Sequence, residues 1–146
     1  MNSDPLAVFD RARQPTHALR DMLAGRPAFL VGGGPSSKSL DLSLLDQRGI
    51  WSMAVNNMGG HFRANAFICA DPPSKFHDSI WRDPGMMKFV PLPKLTNRGR
   101  GHIRTKIDGV VQPLLDANGQ PVSTQDCPNI WGFARRSWWG YDDTFF

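Results

Sequence analysis

Short apolar runs mark the first two thirds of the chain, and each ends in glycine or polar residues. Three of them cover residues 26–31, 50–55 and 66–70, and a fourth of similar character covers residues 88–92. Runs of this length without polar alternation are typical of strands buried on both faces of a parallel sheet. The pattern therefore predicts an α/β fold with an open, mainly parallel sheet and right-handed crossovers.

The chain divides into three predicted segments. Residues 1–25 carry apolar positions at helical spacing, interrupted at Pro15, and are predicted to be a helical lead-in. Residues 26–95 form the predicted sheet core. Residues 96–146 combine a basic strip, an Asn118-Gly119 turn that predicts a β-hairpin, and an aromatic tail.

The composition is that of one globular domain, with 146 residues, 40% hydrophobic and 21% charged. No apolar run approaches the roughly 20 residues that a membrane helix needs, and the first residues lack the pattern of a secretory signal. Cys69 and Cys127 belong to no CxxC pair, which excludes a zinc ribbon and favours a reducing compartment. Cys69 lies in an apolar run and is expected in the core. We therefore expect a cytoplasmic protein without a membrane partner.

The strongest chemical signal is the glycine loop, defined as residues 32–37, which follows the first apolar run. Its backbone N–H groups carry no side chains in their way, and with a helix behind them they favour a phosphate group. The loop matches neither the Walker-type P-loop nor a complete GxGxxG fingerprint, and a tight turn explains the same glycines. The nucleotide-binding residues predicted here are Gly32, Gly33, Gly34, Pro35 and Ser36.

Polar side chains also follow the next two apolar runs. Asn56 and Asn57 end the second run, and Asp71 follows the third. The carboxyl ends of parallel strands meet at one edge of a sheet, and ligands bind there near the switch in strand order. Asparagine suits a base or ribose edge, and Asp71 suits a ribose hydroxyl or a hydrated Mg²⁺ ion. The alternative is a turn at the asparagines and an ordinary loop at Asp71.

These segments resemble a known family. Residues 29–36, 53–57 and 69–72, with the leucine- and aspartate-rich stretch after the glycine loop, look like the nucleotide-binding half of the MptE-like proteins. That group includes hydroxymethylpterin diphosphokinases and flagellin-glycosylation accessory factors. The G-x-G-P-S pattern is also similar to bacterial sialyltransferases, and small tailed-phage proteins with this motif resemble the chain most.

The resemblance implies a Rossmann-like fold, nucleotide phosphates at the glycine loop, a nucleotide contact at Asn56, and a position near phosphate or metal for Asp71. Members of the family continue past the point equivalent to Phe146, with a further loop, helix and strands. The resemblance therefore implies one part of a split protein, a binding module, or a protein recruited for assembly.

Three further features are candidates for chemistry. His77, beside Asp78, is a candidate acid or base near Asp71, and the alternative that the sequence favours is an ordinary surface histidine. Basic residues at alternate positions would share one face of an extended strand and face phosphate, or else line a solvated loop; they include Arg98, Arg100 and Arg104. The aromatic residues do not interleave with them, so nucleic acid is disfavoured.

Two functions from different classes follow. The first is a transferase-like domain, glycosyltransferase- or diphosphokinase-like, that binds a nucleotide or nucleotide-sugar through the glycine loop, with magnesium at Asp71 and Asp71 and His77 as the catalytic pair. The second is a non-enzymatic phage protein or one half of a split protein. It would dock a partner chain or a second copy through residues 131–146, because exposed aromatic side chains are adhesive. If a phage encodes the chain, its compartment is the host cytoplasm.

Overall fold

The computed structural model describes residues 8–95 and 102–134, and every structural statement below concerns these residues. They form one seven-stranded sheet and one two-stranded ladder. The strands are β1 (Val8–Phe9), β2 (Pro15–Thr16), β3 (Ala28–Val31), β4 (Trp51–Val55), β5 (Ala66–Ile68), β6 (Met87–Pro91), β7 (Arg104–Ile107), β8 (Val110–Pro113) and β9 (Ile130–Phe133).

The large sheet has the strand order β2-β1-β9-β6-β5-β4-β3. Strands β3, β4, β5, β6 and β9 are parallel to their neighbours, whereas β1 pairs antiparallel with both β9 and β2. The predicted open and mainly parallel sheet is confirmed. Its parallel strands succeed one another in chain order, so these strands show no switch in strand order, and β3 lies at an edge.

Helices are few and short. The described residues contain one α-helix, α1 (Asp78–Arg82), and single turns of 3-10 helix. The 3-10 turns cover Pro35–Ser39, Leu42–Asp46, Asn56–Gly60, Pro73–Lys75, Leu92–Lys94 and Thr124–Asp126. No helix in residues 8–95 or 102–134 is long and apolar enough to cross a membrane.

The helical lead-in predicted for residues 1–25 is wrong over its described part, residues 8–25. Instead of helix, this part contains β1, β2 and a series of turns. Val8 and Phe9 pair with Phe133 and Gly132, and they thereby provide hydrogen-bonding partners for the backbone at the edge of β9. Pairing with a distant strand overrides the local helical periodicity, and Pro15, which has no N–H to donate, lies in the outermost strand β2.

The hairpin predicted at Asn118-Gly119 is present in reduced form. Gly119 has a φ of +75°, and a single bridge joins Leu115 to Pro121 across the turn. The longer ladder is β7–β8, whose connecting residues Asp108 and Gly109 both have positive φ. Two successive positive φ values are what a type I′ hairpin turn requires, and Asp-Gly is, like Asn-Gly, a preferred pair there.

The register of the parallel ladder separates the strand side chains into two faces, because paired residues of neighbouring strands point to the same side. The face that we name the core face carries Phe29, Val31, Ser52, Ala54, Phe67, Lys88, Val90, Ile130 and Gly132. The opposite face, named the second face, carries Val8, Ala28, Leu30, Trp51, Met53, Val55, Ala66, Ile68, Met87, Phe89, Pro91, Trp131 and Phe133.

The core lies on the core face, where the connections between the parallel strands pack. Met58 joins Val31 and Ala54 in one cluster, with Leu42 and Leu45 packed against it. The larger cluster unites strand residues with the later connections, and Phe67 meets Trp81 and Phe76 edge-on. Cys69 and Cys127 are buried free thiols, and burial raises the pKa of each to about 12. The prediction of Cys69 in the core is confirmed.

Lys88 is a fully buried lysine on the core face. Its Nζ donates hydrogen bonds to the carbonyl oxygens of Asp83, Met86 and Pro128, at 2.5, 2.9 and 2.8 Å. All three ammonium hydrogens therefore have an acceptor, and the side chain ties β6 to the two loops that flank its start. Burial lowers the pKa of Lys88 to about 8.

Replacing this lysine tests its role in stability. We expect Lys88→Met to lower the free energy of unfolding by about 2–4 kcal/mol at pH 7, because it leaves buried carbonyl oxygens without donors. Between pH 8 and 10.5 the unfolded chain holds a proton that the folded chain has released, so lysine ionisation makes the wild type more stable as pH rises. The stability gap to Lys88→Met therefore widens across this window, measured by urea denaturation at a series of pH values.

Lys106→Met is the matched control, because Lys106 is exposed on β7. It should change the free energy of unfolding little, because the Lys106 side chain is exposed. If the difference in unfolding free energy between the wild type and Lys88→Met narrowed above pH 8, the pKa of Lys88 would not be lowered in the folded state. The three carbonyl oxygens would then stabilise the charged lysine by more than burial destabilises it.

Candidate functional site

A cleft of about 580 Å³ opens where the chain leaves β3 and β4. These neighbouring strands are parallel, so the loops at their carboxyl ends lie side by side. The cleft is lined by Gly33, Gly34, Pro35, Ser37, Lys38, Leu40, Leu42, Asn57, Met58 and His61. Part of the glycine loop thus meets one of the predicted asparagines, whereas Gly32, Ser36 and Asn56 are not part of the lining.

The glycine loop is closed by its own serines. The Ser37 N–H and Oγ both donate to the Gly34 carbonyl, at 3.0 and 2.6 Å, and Ser39 Oγ donates to the Ser36 carbonyl. The helix expected behind the loop is only the 3-10 turn Pro35–Ser39. A turn this short has little macrodipole, so any anion bound here relies on local N–H groups and side-chain charge.

Gly33 is the loop residue whose missing side chain shapes the cleft. A Cβ atom built on Gly33 would lie 3.8 Å from Met58 Cγ, at ordinary contact distance, whereas one built on Gly32 would meet nothing within 4 Å. Neither glycine has a positive φ. A side chain at position 33 would therefore occupy the cleft without straining the backbone.

The charge of the cleft is basic. Lys38 contributes an exposed ammonium group and His61 an imidazole, while the described residues of the lining include no aspartate or glutamate. Leu40, Leu42 and Met58 add an apolar wall. The arrangement suits a ligand with an anionic group and an apolar or aromatic part.

Asn56 lies beside the cleft in an unusual state. Its φ is +52°, in the left-handed region, and its Oδ1 atom is buried without a hydrogen-bond partner among the described residues. Both features are unfavourable, and they occur at the carboxyl end of β4, between the glycine loop and the loop that follows β5. Asn129, with a φ of +53°, differs because its Oδ1 accepts from Trp131 Nε1 at 3.1 Å.

Asp71 and His77 occupy a neighbouring region, outside the lining of the cleft. The Asp71 carboxylate pairs with Lys75 Nζ at 3.2 Å, and both side chains are partly exposed. The His77 ring is exposed, and its Nδ1 lies 3.9 Å from the Asp78 carboxylate. Two strand spacings separate the ends of β3 and β5, so Asp71 starts about 10 Å from the glycine loop. The described residues contain no cluster of three or more histidine, cysteine or acidic side chains that could hold a metal.

The basic strip is described only in part. Arg98 and Arg100 lie outside the described residues. Arg104 and Lys106 are exposed on β7, while Thr105 between them is fully buried, so the expected alternation holds here. Thr105 Oγ1 and the Lys106 N–H both donate to the Phe76 carbonyl, which packs the hairpin against the segment that ends in His77. The described part of the strip, Arg104 and Lys106, thus lies by His77 and is not part of the cleft lining.

A second, smaller cavity of about 290 Å³ adjoins the first through His61. Its charged groups are Arg63 and Asp83, whose side chains form an ion pair at 2.7 Å. The hydrogen bond from Arg63 lowers the pKa of Asp83. Because the guanidinium already has a carboxylate partner, this cavity offers less to an anion than the cleft does.

Sequence reasoning missed Lys38, His61 and Met58 as cleft residues. Lys38 directly follows the glycine loop, so its place in the chain was a usable signal. His61 and Met58 follow the asparagines by a few residues, and only the turn Asn56–Gly60 brings them to the cleft. No family model, curated protein or solved structure matches this chain.

The two left-handed asparagines make a matched pair for a stability test. We expect Asn56→Gly to raise the free energy of unfolding by about 1 kcal/mol, because glycine accepts the positive φ and no acceptor remains buried alone. Asn129→Gly relieves the same φ but loses the bond to Trp131, so it should be neutral or destabilising. Thermal and urea unfolding of both variants provide the measurement; equal effects would show that the unpaired oxygen costs nothing.

Proposed function

We propose that this chain is a nucleotide-binding domain of transferase-like type, whose cleft holds the phosphate groups of a nucleotide or nucleotide-sugar. The observation that carries the proposal is the cleft itself, in which Gly33 and Gly34 lie beside Lys38 and His61, and residues 8–95 and 102–134 place no carboxylate in the lining. Phosphate favours such a place, because backbone N–H groups and a lysine stabilise negative charge.

The rest of the cleft suits the remaining parts of a nucleotide. Asn57 presents an amide that both donates and accepts, as a base or ribose edge requires. Leu40, Leu42 and Met58 offer apolar surface for the flat side of a base. A volume of about 580 Å³ is within the usual range for a small-molecule site.

The fold is consistent with half of a Rossmann-like sheet. Strands β3 to β6 succeed one another in one direction, as in a single winding unit, and the glycine loop follows the first of them. In the complete fold a second unit pairs beside the first strand. Among residues 8–95 and 102–134, no strand occupies that position, which is the outer edge of β3.

In this proposal Asp71 and His77 act from the neighbouring strand end, with Asp71 as the protein ligand of Mg²⁺. Magnesium is commonly held by one or two carboxylates together with phosphate oxygens and water, so one aspartate is sufficient when the nucleotide is bound. The metal would neutralise charge on the transferred group, and His77 would donate or accept a proton. A nucleotide spans the distance of about 10 Å between the glycine loop and Asp71.

The test of the cleft is Gly33→Val against Gly32→Val. Titration calorimetry with CMP, UDP-sugars, ATP and GTP should show saturable binding to the wild type. Gly33→Val should weaken it at least tenfold, a loss of about 1.4 kcal/mol, because the new methyl groups enter the cleft beside Met58.

Gly32→Val adds the same methyl groups at a position with open space around it and should bind like the wild type. Both variants should unfold within a degree or two of the wild type. Absence of saturable binding at millimolar nucleotide, or equal losses in both variants, would refute the proposed site.

The test of the metal role is Asp71→Asn, measured with and without magnesium. Magnesium should strengthen nucleotide binding to the wild type, and Asp71→Asn should remove this gain while it leaves magnesium-free binding unchanged. Asp46→Asn, at an exposed acidic residue of another turn, serves as the control. A magnesium gain that survives in Asp71→Asn would exclude Asp71 as the ligand.

A further inference from the structure

The second cavity adjoins the cleft at His61, which lines both spaces. It therefore opens beside the place proposed for the phosphate groups. Its walls come from two connections of the parallel sheet: one follows β4, and the other joins β5 to β6 and contains α1. At about 290 Å³ the cavity is slightly smaller than a usual small-molecule site, so it has room for one ring-sized group.

Two glycines hold the walls of the cavity in place. A Cβ atom built on Gly59 would lie 2.6 Å from the Phe67 ring, so the backbone rests directly on the core at this point. A Cβ atom built on Gly85 would overlap Arg63 Nη2, so only glycine leaves room for the guanidinium there. Contacts of the folded chain thus shape the cavity before any ligand binds.

The polar groups of the cavity are paired in charge and retain hydrogen-bonding capacity. Arg63 Nε and Nη2 donate to the two carboxylate oxygens of Asp83, at 2.7 and 3.2 Å. The pair uses two guanidinium N–H groups, and the others can donate to hydroxyl oxygens. Among the described residues Asp83 Oδ2 accepts a single hydrogen bond, although a carboxylate oxygen has room for two. Ser79 adds an exposed hydroxyl group, which both donates and accepts.

Apolar side chains line the cavity beside these polar groups. Phe62 is half-buried, whereas Ile80 and Met86 are buried. A sugar ring carries hydroxyl groups around its edge and C–H groups on its faces, so it requires both kinds of surface. Sites for such ligands combine apolar and aromatic walls with a few polar groups that fix the orientation. The cavity provides this combination.

The charge of the cavity determines which sugar fits. An anionic sugar would approach the Asp83 carboxylate, and it would have to compete with that carboxylate for Arg63. A cationic sugar would meet the guanidinium in the same way. Neutral hydroxyl groups can bond to both side chains without separating them, so no charged group loses its partner.

We propose that the second cavity binds the uncharged sugar of a nucleotide-sugar whose phosphate groups lie in the cleft. This inference rests on the function proposed above, and it narrows the ligand to a glycosyl donor with a neutral sugar. Since His61 lines both spaces, it lies where the phosphate groups join the sugar. A nucleoside triphosphate has no sugar beyond its phosphate groups and would leave the second cavity unfilled.

The test compares three ligands for each base by titration calorimetry of the full chain. They are a neutral nucleotide-sugar such as UDP-glucose or GDP-mannose, the uronate of the same nucleotide-sugar, and the β-methyl ester of the nucleoside diphosphate. The ester has the charge of the neutral nucleotide-sugar but lacks the sugar. The neutral nucleotide-sugar should bind about tenfold more tightly than the ester, because the sugar adds hydrogen bonds and apolar contact. The uronate should bind no more tightly than the ester.

Ser79→Leu tests the position of the sugar, because it fills the second cavity from an exposed position on α1. It should reduce the tenfold ratio between the neutral nucleotide-sugar and the ester to about one. Ser43→Leu is the matched control, since Ser43 is also exposed but is part of neither lining, and it should retain the ratio. If Ser79→Leu does not fold, Gly60→Val fills the cavity from the other wall, where a Cβ atom has open space.

Three results would overturn the inference. They are equal affinities for the ester and the neutral nucleotide-sugar, a uronate that binds as tightly as the neutral compound, and a tenfold ratio that survives in Ser79→Leu. The outcome for the cleft is separate. Nucleotide binding that Gly33→Val weakens, without any gain from the sugar, refutes this inference alone, whereas the absence of binding by every nucleotide refutes the proposed function as well.

Discussion

The register of the parallel ladder is the constraint on which the rest of this structure depends. Because strand side chains alternate, a slip of one residue between β5 and β6 would move Lys88 from the core face to the second face. Its ammonium group would then lose three carbonyl oxygens at once. The other buried polar group on the core face, Ser52, is fixed similarly, since Asn65 Oδ1 accepts from both its N–H and its Oγ. Two polar residues thus specify a register that apolar packing alone would leave less certain.

The same register positions the candidate site. Val31 on β3 pairs with Ala54 on β4, so the chain leaves both strands at one level and the glycine loop faces the turn Asn56–Gly60. Met58 belongs both to the hydrophobic core and to the lining of the cleft. Its side chain belongs to the core cluster beneath the cleft and also forms the wall opposite Gly33. The floor of the cleft is therefore held by the core and needs no ligand to form.

The sequence was sufficient for the parallel strands and insufficient for their order. Apolar runs predicted β3, β4, β5 and β6 within about two residues, because a strand buried on a parallel sheet has to be continuously apolar. Nothing local distinguishes a central strand from an edge strand, so the sequence did not predict that β3 lies at an edge. The general rule for parallel sheets led us to expect a binding site near a switch in strand order, and the described parallel strands contain no such switch. The lead-in failed for the same reason, since Val8 and Phe9 form a strand only because β9 is available.

Within the site, the correctly predicted residues are those that lie close in sequence to the end of a strand. Gly33, Gly34 and Asn57 meet because each directly follows a strand, and adjacent parallel strands end together. Asp71 also follows a strand, but it is one strand further along and turns towards Lys75, so the cleft does not include it. His61 does not directly follow a strand, and sequence reasoning did not predict it as a cleft residue. It lines the cleft because the 3-10 turn Asn56–Gly60 brings the chain back towards the glycine loop, and no sequence motif predicted this turn.

Because β3 lies at the edge of the described sheet, a ligand bound at the glycine loop would affect the stability of this strand more than it would affect a central strand. Within the part of the chain that the structure describes, β3 has a hydrogen-bonding neighbour on one side only, so it is the parallel strand of this sheet that is most easily released. An anion held between the glycine loop and the turn after β4 links these two strands at their carboxyl ends. Binding to the folded state alone adds RT ln(1 + [L]/Kd) to stability, and this gain opposes every opening that destroys the site, the release of β3 included. The ligand proposed for the cleft would therefore stabilise the parallel strand that has the fewest hydrogen-bonding neighbours among the described residues.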